Sequence, residues 1–317
     1  MAQPHSTKIA VSNLAPEHLD AFTRTLNHVM ATDVTKQTFA QIIDGQPAPQ
    51  AVPSHARNHP MLQGRTGPSP ESVEAVEALP ESLNPEMLHV DSDIAQAYQN
   101  TVTGSREFKI RLLEMIAVTF HNTSALLFDT MSRRIVHVSG CLPPDVEPPP
   151  TVFIHRDYRD HDQYPLGVAD MVGYWAEYQV FGGVVLFGRG ESEREALDVY
   201  IHPPTPWMIF KLSDSQVNDF IDFGLSNFPA RSSISSSQHH STFSLPFAAE
   251  RYAERIDPDI AIQCHHIFRN KYERKPFTPP RGLTCHRPRR LEDDPVLLDL
   301  IEKFDKKEQR EEREGGR

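Results

Sequence analysis

No stretch of the 317 residues runs to about 18 consecutive apolar side chains, the length a bilayer-spanning helix needs, so no membrane segment is expected and the protein should be soluble. Cysteine is scarce and odd in number. Cys141, Cys264 and Cys285 cannot pair off completely, and the first thirty residues lack the apolar centre of a secretory leader. The expected compartment is therefore reducing: the cytoplasm, with the nucleus as the alternative. Signatures of cofactor chemistry are missing too: there is no G-x-S-x-G elbow, no P-loop and no dinucleotide fingerprint. Gly182-Gly183 and Gly188-x-Gly190 flank a strand, where glycine serves turns, and no cofactor is predicted. Glycine, at 15, is outnumbered by proline, at 27, and the prolines cluster. Six fall between Gln46 and Pro70 and five between Cys141 and Pro150, which keeps strand and helix interiors out of the second stretch and makes the first a linker.

Positive charge is also short. A formal net charge of −11 argues against nucleic-acid binding, because a duplex-binding surface must neutralise phosphates. One stretch runs the other way: Arg251 to Leu291 holds ten Lys or Arg against four Asp or Glu, a local +6 that leaves −17 for the remainder. With Phe268, Tyr272 and Phe277 interleaved, it has the composition of a single-strand binder. The preferred reading is a tail folded back onto the acidic core to which it is tethered.

The helical signals begin early. Leu19, Phe22, Leu26, Val29 and Met30 after Pro16 recur at steps of three and four, and Phe39, Ile42 and Ile43 make a second, shorter helix that Gly45 stops. Ser69-Pro70-Glu71 opens a third, through Leu79, and Ser92 is a plausible cap for a fourth that reaches Val102. From Ser105, the residues Phe108, Leu112, Met115, Ile116 and Thr119 share a face with apolar flanks, which predicts a helix buried on more than one side. Ser124 to Asp129 and Arg134 to Val138 read as a β-hairpin. Gly167 to Val180 fits helix or strand, and helix is favoured. Val184 to Phe187, Leu197 to Ile201 and Trp207 to Leu212 read as strands, and Ser213 with Gln216 forms a capping box opening another helix. The predicted class is α+β: a small antiparallel sheet packed with helices. It would carry a helical N-terminal region with a proline-rich linker (1–104), a mixed core (105–226) and a largely disordered tail, basic then charge-mixed (227–317).

Three clusters are candidates for chemistry. His155 to Asp162 offers imidazoles and carboxylates, yet no established metal spacing is met, and a loop whose Asp and Arg side chains pair with one another is preferred. On the favoured helix, Asp170, Tyr174 and Glu177 share a stripe opposite Trp175. Two carboxylates suggest acid/base work, but seven residues place them roughly 10 Å apart along the axis, so a solvated face is the better reading. With His161 these three are the candidate catalytic residues. Cys264, His265 and His266 with Cys285 and His286 hold enough soft ligands for zinc, but adjacent ligands converge poorly; no metal is predicted. His121, near the end of the buried helix, is read as a satisfied core histidine.

The run from Asp160 through Gly167-Val-Ala-Asp-Met-Val-Gly-Tyr-Trp-Ala-Glu177, continued by Phe181-Gly-Gly-Val-Val-Leu-Phe187, resembles a family of filamentous-fungal proteins of unknown function, as does Ile267 to Phe277. The resemblance covers about half the chain and carries no known reaction. It implies a fungal, intracellular origin and an accessory place in secondary-metabolite clusters. The expected activity is that of a non-catalytic accessory protein binding a protein partner or a small metabolite. A noncanonical hydrolase or isomerase, or a regulatory protein binding nucleic acid through 251–291, are the alternatives.

Overall fold

The structure is a computed structural model that describes residues 7–51, 66–82, 85–132, 150–204, 208–226 and 244–275. Strand β1, Lys8–Ala10, leads into α1, Pro16–Ala31, with proline in its first turn where the missing N–H costs nothing. Helix α2, Asp33–Ile43, starts on the Thr32 hydroxyl and is closed by Gly45 at φ +70°, a left-handed conformation that favours glycine. The Asp44 carboxylate then accepts from Ser69 N and Ser69 Oγ, each at 2.7 Å, and fastens the start of α3, Pro70–Ser82, to the end of α2. Strand β2, His89–Asp91, pairs antiparallel with β1 and runs into α4, Ser92–Gln99. The proposed cap thus shifts by one residue: Ser92 is the first residue of α4 and Asp91 precedes it.

The central element is α5, Arg106–Leu127, capped by Ser105 Oγ accepting from Phe108 N at 3.1 Å. Here the sequence reading needs correction. Ser124 to Asp129 is not a strand; α5 continues to Leu127 and passes into one π-helical turn, Phe128–Ser132. Ser124 Oγ back-bonds to Phe120 O at 2.8 Å and is buried with Ala125, so packing holds these residues helical against a local β preference. The second arm of that hairpin, 134–138, lies outside the described residues, as do the serine-rich run 231–241 and most of the proline-rich 141–150 stretch.

Helix α6, Val168–Phe181, is ended by left-handed Gly182 at φ +84° and followed by β3, Val184–Gly188, β4, Val199–His202, and β5, Ile209–Lys211. Helix α7, Asp214–Leu225, opens on the expected capping box. Then come β6, Arg255–Ile256, α8, Pro258–His265, and β7, Ile267–Phe268. The five-stranded sheet has the order β6-β5-β4-β3-β7 and every pairing is antiparallel. The class is α+β.

Alternation along β3 divides the interior in two. Val185 and Phe187 join the helices, while Val184 and Leu186 face Tyr158, Tyr174 and Ala261 of α8. Helix α6 borders both, giving Val172 and Trp175 to the first and Met171 and Tyr174 to the second. The interior is not confined to 105–226. Phe22 and Leu26 of α1 and Phe39 of α2 belong to the same cluster as α5, and Phe39 stacks on Phe120 with centroids 5.4 Å apart. Both edge strands come from the stretch expected to be tail. No helix among the described residues is long and apolar enough to cross a membrane.

Candidate functional site

Helix α6 places Asp170, Tyr174 and Glu177 on one stripe, as its 3.6-residue period demands. That stripe is not solvated. Asp170 is 6% exposed, Tyr174 5% and Glu177 0%, because α5 and the residues after β7 cover it. His121 of α5 bridges the carboxylates: Nδ1 lies 2.7 Å from Glu177 Oε1 and Nε2 lies 3.1 Å from Asp170 Oδ1. The separation that counted against a joint role is thus spanned by one imidazole. His121, read as a satisfied core histidine, is buried and bonded at both nitrogens.

Arg269, immediately after β7, reaches the same carboxylate oxygen as His121. Its Nη1 donates to Glu177 Oε1 at 2.7 Å and its guanidinium carbon lies 5.2 Å from the Tyr174 ring centroid, within cation–π range. Glu177 Oε2 accepts from Val185 N at 3.1 Å, and Asp170 Oδ2 accepts from Leu166 N at 2.7 Å. Burial alone would raise the Glu177 pKa, but Arg269 and His121 outweigh it and hold the carboxyl below its ordinary range. Burial would likewise strip His121 of its proton; the hydrogen bonds to Asp170 and Glu177 prevail and raise its pKa above the usual 6.5. The imidazolium then donates from both nitrogens. Arg269 Nη2, 3.2 Å from His121 Nδ1, cannot also donate there, so this is a close approach of two cations leaning on one carboxylate oxygen. Two positive and two negative groups balance.

Room for the imidazole depends on Gly173. A Cβ at that position would sit 2.6 Å from His121 Cε1, closer than real contacts allow. Gly173→Ala is expected to push His121 off its carboxylates and cost about 1–3 kcal/mol, read by urea unfolding with the His121 ring signals followed by NMR.

Tyr174 lies against Tyr158, Tyr164 and His121 with ring centroids 4.5 to 5.4 Å apart. Among the described residues its hydroxyl has no hydrogen-bond partner, and burial drives its pKa well above that of an ordinary tyrosine. His161 stands apart. It is half-buried in a single 3₁₀ turn, His161–Gln163, and no hydrogen bond among the described residues joins its side chain to the other three candidates.

The His155–Asp162 loop caps itself in part and draws its other partners from elsewhere in the chain. His155 is fully buried, donating from Nε2 to His202 O at 3.1 Å while Nδ1 accepts from Asp157 N at 3.3 Å. Burial lowers its pKa to about 4, so it stays neutral. Asp160 and Asp162 pair with Lys275, at 3.1 and 3.2 Å, rather than with arginines of their own loop. A second buried charge cluster lies nearby: Glu114 of α5 accepts from Arg111 at 2.7 Å and pairs with Arg189 at 2.6 Å, and Arg189 donates to Phe268 O and Arg269 O. The described part of the basic stretch is thus folded back onto acidic groups of the core. Cys264 is an exposed free thiol, Cys285 and His286 lie outside the described residues, and no metal-binding group of three ligands occurs among the described residues.

What the sequence left unseen is Arg269, Arg189 and Glu114 as site members. Their partners are 75 to 92 residues away in the cases of Glu114–Arg189 and Glu177–Arg269, and no local pattern marks them. Comparison with family models, curated proteins and solved structures finds no match.

Proposed function

We propose that this protein works by binding, as a non-catalytic accessory protein, and that the His121–Asp170–Glu177–Arg269 cluster is the fixed centre of its fold. The observation that carries the reading is the saturation of His121. A general base must present a free ring nitrogen to its substrate, and both nitrogens here point at carboxylates. Glu177 is equally committed, with three donors on two oxygens. The fungal resemblance and the low cysteine content support an intracellular accessory role, in the cytoplasm, with a protein partner or a small metabolite as the ligand.

Tyr174 offers the cleanest test, because among the described residues its hydroxyl holds nothing in place. Tyr174→Phe should alter stability by less than about 1 kcal/mol. Reintroduced into a strain lacking the gene, it should restore the wild-type metabolite profile in full. A folded Tyr174→Phe protein that fails to restore the profile would overturn the reading that this hydroxyl does no chemistry.

A further inference from the structure

Resting on that binding reading and naming a ligand class for it, we infer that the open groove between the end of α4, the start of α5 and the β3–β4 connection binds a small organic monocarboxylate with an apolar body. The groove offers about 580 Å³, a volume in the range of small-molecule sites. It is already open, and the β3–β4 connection that forms one wall is fixed through its backbone. Arg111 Nη2 donates to Arg194 O at 2.5 Å, Arg189 Nη1 to Glu195 O at 3.3 Å and Arg106 Nη1 to Leu197 O at 2.5 Å, while Leu197 N donates to Gly188 O at 2.9 Å.

The charge that calls for an anion is buried behind that wall. Arg111, Arg189 and Glu114 are all buried, and among the described residues Glu114 is the only carboxylate within ion-pair distance of either guanidinium. Two cations share one anion, so one positive charge is left over where uncompensated charge is costly. Arg111 is itself part of the groove, and its Nε has no acceptor among the described residues. Arg194 adds an exposed guanidinium that no hydrogen bond or ion pair engages among the described residues. Arg106, by contrast, is taken up by Asp198 and Asp214, at 2.7 and 2.9 Å. A carboxylate in the groove therefore meets Arg194 directly and feels the surplus charge at Arg111. Glu107 and Glu195 also line the groove and repel a second negative charge, which selects a monoanion over a phosphate dianion. Ala97, Ala196 and Leu197 supply an apolar wall, and Leu197 is half-exposed, so a hydrocarbon body laid on it buries surface that the fold leaves in water.

An amide NMR titration of the full-length protein with octanoate tests this, with octylammonium, octanol and inorganic phosphate at the same concentration as controls. The expected result is a set of saturable shifts, with octanoate alone, confined to residues 97–107 and 194–197. Arg194→Ala should keep the wild-type melting temperature, since the guanidinium it removes holds nothing among the described residues, and should weaken octanoate binding by roughly tenfold. Leu197→Ser should weaken it by roughly threefold. The inference is overturned by the absence of a saturable shift, by equal shifts with octanol or octylammonium, by phosphate binding in place of octanoate, or by an Arg194→Ala protein that binds octanoate as tightly as wild type. None of these outcomes bears on the reading that Tyr174 does no chemistry, which the Tyr174→Phe strain decides by itself.

Discussion

Replacing Glu177 with glutamine should destabilise the protein by about 3–5 kcal/mol, the cost of leaving buried cations without their shared anion. The size follows from geometry. Glu177 is fully buried and its Oε1 receives both His121 and Arg269 at 2.7 Å, so the neutral amide strands an imidazolium and a guanidinium in an interior that cannot rehydrate them. His121 should respond by losing its proton. Urea unfolding of the variant should show the lower midpoint with an unchanged m-value, and the His121 ring signals should report a neutral imidazole at pH 7. Simultaneous replacement of His121, Asp170, Glu177 and Arg269 by apolar residues of similar volume should recover much of the loss, because it removes both buried cations together with both buried anions. A loss below about 1 kcal/mol for Glu177→Gln would mean that water reaches the cluster.

The second large effect is on the dependence of stability on pH. His155 is buried and neutral, its folded pKa lowered from 6.5 to about 4. A histidine depressed in this way contributes stability that is complete above pH 6.5 and is lost as the pH falls toward 4, because the unfolded chain takes up the proton first. The loss is on the order of 3 kcal/mol. Glu177, whose folded pKa is also depressed, adds to the acid limb below its ordinary value of 4.5. His121 works in the opposite sense. Its raised pKa contributes stability that is complete below 6.5 and is lost as the pH climbs through the folded value. Stability should therefore peak near pH 6.5 and fall on both sides. His155→Gln should flatten the limb between pH 6.5 and 4 while leaving the alkaline limb unaltered. An acid limb identical to wild type would show that His155 is not held neutral by burial.

Much of the helical framework was legible in the residues. The stripe Leu19, Phe22, Leu26, Val29 and Met30 is α1 with one face buried, the Ser213 and Gln216 pairing is the start of α7, and the short apolar run ending at Phe187 is β3. These signals are local, so a short window contains them. Ser124 to Asp129 misled for the same reason: six residues with β-compatible side chains do not carry a period, and the packing of Ser124 and Ala125 against the interior decided the matter. The edge strands Arg255–Ile256 and Ile267–Phe268 were invisible because two residues make no pattern and their partners lie elsewhere in the chain. Asp170 and Glu177 were placed correctly on one face and assigned to the wrong environment. A carboxylate stripe opposite Trp175 looks like a wet surface until one knows that His121 lies 56 residues before Glu177 and Arg269 lies 92 after it.

The placement of β6 and β7 at opposite margins of the sheet also sets an order of events during synthesis. Strands β3, β4 and β5 leave the ribosome first; this three-stranded unit shows open backbone along both sides until residue 256 has emerged, and along the β3 side until residue 268 has. A nascent chain stalled or cleaved in the 227–254 interval would retain α6 and α7 but present two sticky margins at once, so premature termination there should yield aggregates in place of a smaller folded product.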